Sequence, residues 1–289
     1  MLAGLLKSFI RDGAMRLEDS TGRLHSIGDG SKPVCTLRVH DRRADFRAIL
    51  NPGLTVPEGL MNGGLSVTDG TLYGFLELCA RNYHHLEALA PVKFVRFFDL
   101  ARFGQYNPTG KARRNVAHHY DLSDALYRLF LDDDRQYSCA YFENPEQSLE
   151  EAQLAKKRHI AAKLKLERGN KVLDIGCGWG GLALYLAKAA DIDVTGLTLS
   201  VEQQGVAAQR AEEAHLSDTV RFRLQDYRNE AAEYDRIVSV GMFEHVGRRN
   251  YGEFFGKAER LLKEDGVMLL HTIGRLGGPA PINPFIRKY

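Results

Sequence analysis

The sequence predicts an α/β protein, with a doubly wound parallel sheet in the second half of the chain and a small α+β domain before it. Three observations lead to this prediction. Residues 14–70 carry short alternating segments bounded by Gly, Pro, Asn or Asp, as the strands of a small sheet do. From Lys171 onward, strand-like and helix-like segments alternate, which is typical of a parallel sheet with helices on both faces. A glycine-rich turn follows the first of these later strands.

Composition narrows the class of protein. With 289 residues, 44% of them hydrophobic, the chain can build one large domain or two modest ones. The formal net charge of +2 gives no reason to expect a nucleic-acid partner. No apolar run approaches the roughly 20 residues that a transmembrane helix needs. The four cysteines form no CxxC pair, so we expect reduced thiols, no metal site and a soluble, cytoplasmic protein.

In the first half, "MLAGLLKSFI" predicts a short amphipathic helix. Strands are predicted for "AMRLED" (14–19), "CTLRVHD" (35–41), "DFRAILN" (45–51) and "GLSVTDG" (64–70), and a helix for 71–89. Residues 102–115 combine Gly, Pro, Asn and basic residues without a period, which indicates a linker. The predicted domains are therefore 1–101 and 116–289.

In the second half, helices near 121–131 and 148–167 flank "RQYSCAYF" (135–142). The alternating elements that follow are strands at 171–175, 193–197, 220–224, 235–240 and 267–272, with helices at 180–190, 201–215 and 250–263. Ligands of parallel sheets bind at the carboxyl ends of the strands. The residues after each strand are therefore the candidates for a site.

Positive charge is clustered at Arg42 and Arg43, at 111–114 and at 156–158. Clusters of this kind are usually solvated faces, and we expect that here. Contact with an anionic lipid surface is the alternative.

The glycine-rich turn "DIGCGWGG" matches G-x-G-x-x-G through Gly176, Gly178 and Gly181, which also occurs in dinucleotide-binding proteins. Asp174, two residues before the first glycine, would repel a pyrophosphate and suits a ligand with a cationic amine or sulfonium. Thr198 stands where a ribose-binding acid would end the next strand. The turn therefore predicts S-adenosylmethionine rather than a nicotinamide cofactor, and a turn without a ligand is the alternative.

Six segments in order resemble the cyclopropane-fatty-acyl-phospholipid synthases and the related mycolic acid cyclopropane synthases. They are "NVAHHYDLSDALYRLFLDDDRQYSCAYF", "EEAQLAKKRHIAAKLKL", "VLDIGCGWGGLALYLA", "VTGLTLSVEQ", "RIVSVGMFEHVG" and "GVMLLHTIG". The resemblance runs from about Arg114 to the end and implies a Rossmann-like methyltransferase sheet. The first 100 residues resemble, with weaker motifs, the N-terminal domain of the phospholipid-acting members.

The resemblance implies that the turn binds S-adenosyl-L-methionine, with Asp174 and Trp179 beside it. Gly176, Gly178 and Gly180 would lie against the amino-acid part of the cofactor. The other implied cofactor contacts are Thr198, Ser200 and Gln203 on the ribose side, Asp226 and Tyr227 at the adenine edge, and Tyr137 and Ser138 closing over the cofactor.

Cyclopropane formation imposes further demands, because attack of an alkene on the sulfonium methyl leaves a carbocation that must lose a proton. Aromatic faces stabilise a cation, and five aromatic residues lie beside the motifs: Tyr137, Tyr141, Phe142, Trp179 and Phe243. Core packing is the alternative for each. For the base, the resemblance implies a bicarbonate ion held by Cys139, Glu244, His271 and the backbone of Ile273.

A complete fold of this kind has seven strands, whereas five are predicted here, so we expect the C-terminal strands to be missing. The expected reaction transfers a methylene group to the cis double bond of an unsaturated phospholipid acyl chain. Methylation without ring closure and a lipid- and cofactor-binding fragment without turnover are the alternatives. We also expect the N-terminal domain to contact the inner face of the cell membrane, as a peripheral contact with anionic lipid. The oligomeric state stays open, with a homodimer among the alternatives.

Overall fold

The computed structural model describes residues 2–41, 47–48, 51–88, 124–274 and 283–289. They belong to two compact units, one of Met1–Gly104 with Gly277–Tyr289 and the other of Gln105–Leu276. The last described residues, 283–289, thus lie with the first unit, whereas the predicted domain limits assign them to the second. The predicted linker, 102–115, lies outside the described residues.

The first unit contains a four-stranded sheet in the order β2-β1-β3-β4. Its strands are β1 (Ala14–Glu18), β2 (Leu24–Gly28), β3 (Thr36–Val39) and β4 (Leu65–Thr68). Three of these strands were predicted. Strand β2 was missed because only Ile27 in it is buried, so its sequence lacks clear alternation. The predicted strand at 45–51 is wrong, since Arg47 and Ala48 are helical.

Helices α1 (Leu2–Phe9), α2 (Pro52–Met61), α3 (Leu72–Arg81) and α4 (Tyr83–Ala88) pack in this unit, with a C-terminal helix at Pro284–Lys288. The amphipathic helix predicted at the N-terminus is confirmed as α1, which buries Leu2, Leu6 and Phe9 in the core. The helix predicted at 71–89 is interrupted at Asn82. This fully buried side chain accepts hydrogen bonds from the backbone N–H groups of Arg11 and Asp12.

The second unit contains five parallel strands in the order β7-β6-β5-β8-β9. They are β5 (Lys171–Ile175), β6 (Asp193–Thr198), β7 (Val220–Leu224), β8 (Tyr234–Val240) and β9 (Leu262–His271). The helices are α5 (Asp124–Tyr127), α6 (Leu149–Leu164), α7 (Gly181–Ala190), α8 (Val201–Glu213) and α9 (Tyr251–Leu261). The predicted parallel sheet is confirmed, although β9 begins five residues early and the helix predicted at 121–131 ends at Tyr127.

Helix α6 is fixed at both ends. Ser148 and Glu151 form a capping box at its N-terminus. At the other end the buried guanidinium of Arg236 donates to the backbone oxygens of Leu164 and Lys165, and a cation is favourable there because of the helix dipole. The helix is therefore a firm support for the side chains on its buried face.

The basic cluster at 156–158 does not form a solvated face. Lys156 and Lys157 are buried, and only Arg158 is exposed. Neither the solvated reading nor contact with a lipid surface therefore holds for this cluster. The clusters at 42–43 and 111–114 lie outside the described residues. Within the described ranges, moreover, no helix is both long and apolar enough to cross a bilayer.

Candidate active site

A cavity of about 210 Å³ lies at the carboxyl ends of β5, β6 and β8, as expected for a parallel sheet. Ten of the predicted cofactor residues line it: Tyr137, Ser138, Asp174, Gly176, Gly178, Trp179, Thr198, Gln203, Asp226 and Tyr227. The other two, Gly180 and Ser200, are described residues that do not contribute to its wall.

The glycine turn is held by β6, since Leu197 O accepts the N–H groups of Gly176 and Cys177 at 2.9 and 3.0 Å. Gly180 has a φ of +83°, and a Cβ there would lie 2.6 Å from the Phe222 ring. This glycine therefore serves the packing of the turn on β7, and its contact with the cofactor stays a prediction. Gly178 differs, because at φ +55° no atom lies within 4 Å of the position its Cβ would take.

Asp174 is the buried acid of the site. Its side chain is 2% exposed, and the oxygen Oδ2 has no hydrogen-bond partner among the described residues. Burial raises the pKa of this carboxyl to about 7. A buried acceptor without a partner costs free energy. A cationic ligand group in the cavity would supply the missing partner, so the acid fits the amine predicted for this position.

The end of β6 carries a small polar network. Thr198 Oγ1 donates to Gln203 Oε1 at 2.9 Å, and the N–H of Ser200 donates to Thr198 Oγ1 at 3.2 Å. Ser200 Oγ in turn accepts the N–H of Gln203 as the N-cap of α8. Ser200 thus caps the helix, and this explains why it lies outside the cavity wall.

The turn after β7 presents Asp226 and Tyr227. The Asp226 carboxylate accepts three hydrogen bonds from Arg228, one from its N–H and two from its guanidinium. Burial raises the pKa of Tyr227 to about 12, so its hydroxyl stays protonated. Asp226 therefore lines the cavity as part of an ion pair with Arg228, which the sequence did not predict.

Residues 132–138, here called the strap, run along the cavity, and Arg135, Gln136, Tyr137 and Ser138 line it. The Asp134 carboxylate pairs with Lys157 at 2.5 Å and with Arg210 of α8. Arg210 also donates to Trp179 O in the glycine turn at 2.8 Å. These ion-paired residues were missed from the sequence, because they form contacts between segments far apart along the chain.

The predicted aromatic residues do not form one group. Tyr137 and Trp179 line the cavity, and Tyr127 lies edge-on to both, with centroid distances of 5.4 and 4.9 Å. Phe243 instead stacks on Tyr251 at 4.3 Å. Tyr141 and Phe142 are exposed on the surface, and Tyr141 stacks on His159. Only two of the five therefore line the cavity.

The four predicted bicarbonate ligands follow the expected elements. Glu244 lies after β8, while His271 ends β9 and Ile273 follows it. Glu244 Oε1 accepts the N–H of Ile273 at 2.7 Å, and the Nδ1 atom of His271 is buried with no partner among the described residues. Cys139 is exposed at the end of the strap.

The electrostatics of Glu244 are decided by this hydrogen bond. Partial burial by itself would raise the pKa of its carboxyl. The hydrogen bond from the Ile273 N–H and several weaker contacts lower the pKa by more, so the pKa lies below its ordinary value. The side chain is therefore a carboxylate at neutral pH, and the backbone donor predicted to bind an ion is already used.

This strand order, with an acid near the end of the central strand and a glycine turn after it, is the fold of S-adenosylmethionine-dependent methyltransferases. Residues 108–282 match the family described as mycolic acid cyclopropane synthetase. The chain belongs to that family. The predicted family resemblance is thereby confirmed.

Individual relatives agree with this assignment. The cyclopropane-fatty-acyl-phospholipid synthase of Escherichia coli is 45% identical over 206 residues, which are 71% of this chain and 51% of that protein. A probable fatty acid methyltransferase of Pseudomonas putida is 44% identical over 55% of this chain and 41% of that protein. The solved mycolic acid cyclopropane synthase CmaA1, complexed with SAH and CTAB, has a TM-score of 0.54 and 43% identity, covering 57% of each chain. The chain thus spans about half the length of the curated relatives it matches.

Replacing Asp174 by asparagine should stabilise the protein above neutral pH. Since the folded pKa of about 7 exceeds the ordinary 3.8, the folded state holds more protons between these values, and the parent loses stability as the pH rises from about 4 to 7. We expect Asp174→Asn to raise the free energy of unfolding at pH 8 by about 2–4 kcal/mol. At pH 4 the two proteins should be nearly equal.

The measurement is denaturant unfolding followed by the fluorescence of Trp179, the single tryptophan of the chain. Because Trp179 is buried in the second unit, its emission reports on the unit that contains Asp174. A variant that is less stable than the parent at pH 8 would show that the carboxylate is favourably solvated or partnered in the folded protein.

Proposed function

We propose that the chain binds S-adenosylmethionine in the cavity at the carboxyl edge of the sheet. The observation that carries the proposal is the buried Asp174 oxygen without a partner, beside the open space at Gly178. The acid would hold the cationic amine of the cofactor, and the glycine would let the backbone approach it. SAH, with which CmaA1 was solved, is what this cofactor becomes after it gives up its methyl group.

The proposed reaction is methylene transfer to the cis double bond of an unsaturated phospholipid acyl chain, which forms a cyclopropane. It rests on the family and on the E. coli relative, whose name states a cyclopropane-fatty-acyl-phospholipid synthase. Methylation without ring closure is a second candidate, favoured by the name of the P. putida relative. Both reactions need the same cofactor, and they differ in the fate of one proton.

For ring closure, that proton must leave the transferred methyl group. We propose that bicarbonate accepts it, held by Cys139, Glu244 and His271. The buried Nδ1 atom of His271 is available for an ion, whereas the Ile273 N–H is bonded to Glu244. Ion binding would therefore require Glu244 to share or release that donor. An adjacent anion would raise the pKa of Glu244, so that a proton shared between the two would reduce their repulsion.

Cofactor binding is tested by a side chain in the open space at Gly178. Asparagine tolerates a positive φ better than other residues, so Gly178→Asn should fold while filling the ligand's place. We expect calorimetry to show at least a hundredfold loss of affinity for S-adenosylmethionine, as expected when a ligand is sterically displaced. The matched control is Gly169→Asn, at φ +80° with open space around it in the turn before β5. If both variants bind S-adenosylmethionine with the same affinity, the glycine turn is not part of the cofactor site.

The reaction is tested in lipids extracted from cells that express the chain. Mass spectrometry should show acyl chains heavier by one methylene group, and NMR distinguishes a ring from a branch. Glu244→Gln keeps the shape but changes the charge beside the ion, so ring formation should fall about a hundredfold. Cofactor affinity should be unchanged. Unaltered lipids in cells expressing the parent favour the reading of a fragment without turnover, and a fully active glutamine variant would remove Glu244 from the proton transfer.

We also propose that the first unit contacts an anionic membrane surface through α3. Leu72, Tyr73 and Leu76 are each at least half exposed, and Leu76 is a neighbour of both on the helix surface because it lies four residues after Leu72 and three after Tyr73. Helix α1, by contrast, buries its apolar face within the unit. Single exposed apolar residues are common, but adjacent ones favour a contact surface.

Sedimentation with vesicles containing anionic phospholipid tests this surface. Leu76→Asp should reduce the bound fraction about tenfold, because it removes one apolar contact and adds repulsion. The control is Leu24→Asp, since Leu24 is a somewhat more exposed leucine on the edge strand β2. If both variants sediment like the parent, α3 does not contact the membrane.

A further inference from the structure

Lys156 is a buried cation whose hydrogen bond is made to a neutral group. Its side chain is 4% exposed, and Nζ donates to the hydroxyl of Ser138 at 2.7 Å. Burial lowers the pKa of Lys156 to about 8, so the ammonium form still predominates at pH 7. Burying a charge is costly unless it is paired, and the nearby carboxylates of Asp132 and Asp134 offset only part of the cost of burying Lys156. The position of its hydrogen-bond acceptor indicates a role at the cavity, since Ser138 lines the cavity.

The contact belongs to a set of three on one face of α6. Gln153 Nε2 donates to the backbone oxygens of Gln136 and Ser138, both at 3.1 Å. Lys157 pairs with Asp134. With Lys156 these side chains occupy positions i, i+3 and i+4, which face the same way on a helix. The helix therefore fixes both the backbone of the strap and the hydroxyl of Ser138.

An ammonium group has hydrogen-bond donors only. The Ser138 oxygen must accept from Lys156, and its own hydrogen is directed away from the positive charge. Because Ser138 lines the cavity, the hydroxyl is left as a donor toward a ligand there. The Lys156 ammonium, which the Asp132 and Asp134 carboxylates compensate only in part, also raises the local positive potential. A ligand group beside Ser138 should therefore be an acceptor with negative charge.

We propose that Lys156 is a positioning residue that makes Ser138 the hydrogen-bond donor to the carboxylate of the cofactor's amino-acid part. The inference rests on the proposed function, since it assumes that the cavity binds S-adenosylmethionine. The amino-acid part is a zwitterion, and Asp174 would take its ammonium while the Ser138 hydroxyl takes its carboxylate. The cavity would then bind both charged groups of the cofactor's amino-acid part.

The test compares SAH with its decarboxylated analogue, which keeps the amine but lacks the carboxylate. By calorimetry, we expect the parent to bind SAH about 10- to 100-fold more tightly than the analogue, the range for a hydrogen bond to a charged group. Lys156→Met, which fills similar space without a charge, should lose most of this preference. Its affinity for the analogue should stay that of the parent. The control is Lys163→Met, an exposed lysine on the same helix.

A second variant, Ser138→Ala, leaves α6 intact and should lose the same preference. The double variant should lose no more than either single one, because both remove one unit. If Lys156→Met weakens SAH and the analogue equally, or keeps the parental preference, Lys156 only supports the fold and the inference is wrong. If the parent binds neither ligand, the proposed function fails first and the inference fails with it. If Ser138→Ala keeps the preference, another group takes the carboxylate.

Discussion

The chain leaves β5 and enters α7 through a turn in which Gly176, Gly180 and Gly181 have no room for a side chain, and the rest of the site depends on this constraint. Phe222 fills the space beside Gly180. A Cβ on Gly181 would lie only 2.5 Å from the carboxylate oxygens of Asp134. Gly178 is the residue of this turn that faces open space and also lines the cavity. The close packing of its neighbours therefore holds a short stretch of bare backbone toward the ligand.

Two buried titratable groups of this unit are only partly compensated by the protein itself. Asp174 has an oxygen without a partner, and Lys156 donates to a hydroxyl. Such groups reduce stability, and proteins keep them mainly where a ligand completes their interactions. Asp134, between Lys157 and Arg210, is the opposite case, because its charge is balanced and it serves to fasten the strap. Asp174 lines the cavity and faces a ligand directly, whereas Lys156 and Asp134 hold other groups of the site in place.

The residues proposed for proton transfer are arranged differently from those proposed to bind the cofactor. Glu244 and Ile273 come from loops after neighbouring strands and bond to each other, so this part of the edge is closed on itself. The cofactor cavity, by contrast, presents unsatisfied or donor groups to a ligand. The chain spans about half of the E. coli relative, and the described residues that line the cavity all belong to the second unit. Cofactor binding and proton transfer can thus be tested separately in this chain.

The sequence by itself determined the parallel sheet, the glycine turn and the acid before it, because strand and helix periods and left-handed turns are local properties of a few residues. It also placed ten of twelve cofactor candidates at the cavity, since the carboxyl ends of parallel strands meet at one edge. Only the tertiary structure decided that Gly180 packs on Phe222, that Ser200 caps a helix, and that Lys156 is buried. In the sequence, "AKKRH" has the composition of a solvated run. Its burial follows from the strap lying across α6, a contact between segments some 20 residues apart that no local pattern encodes.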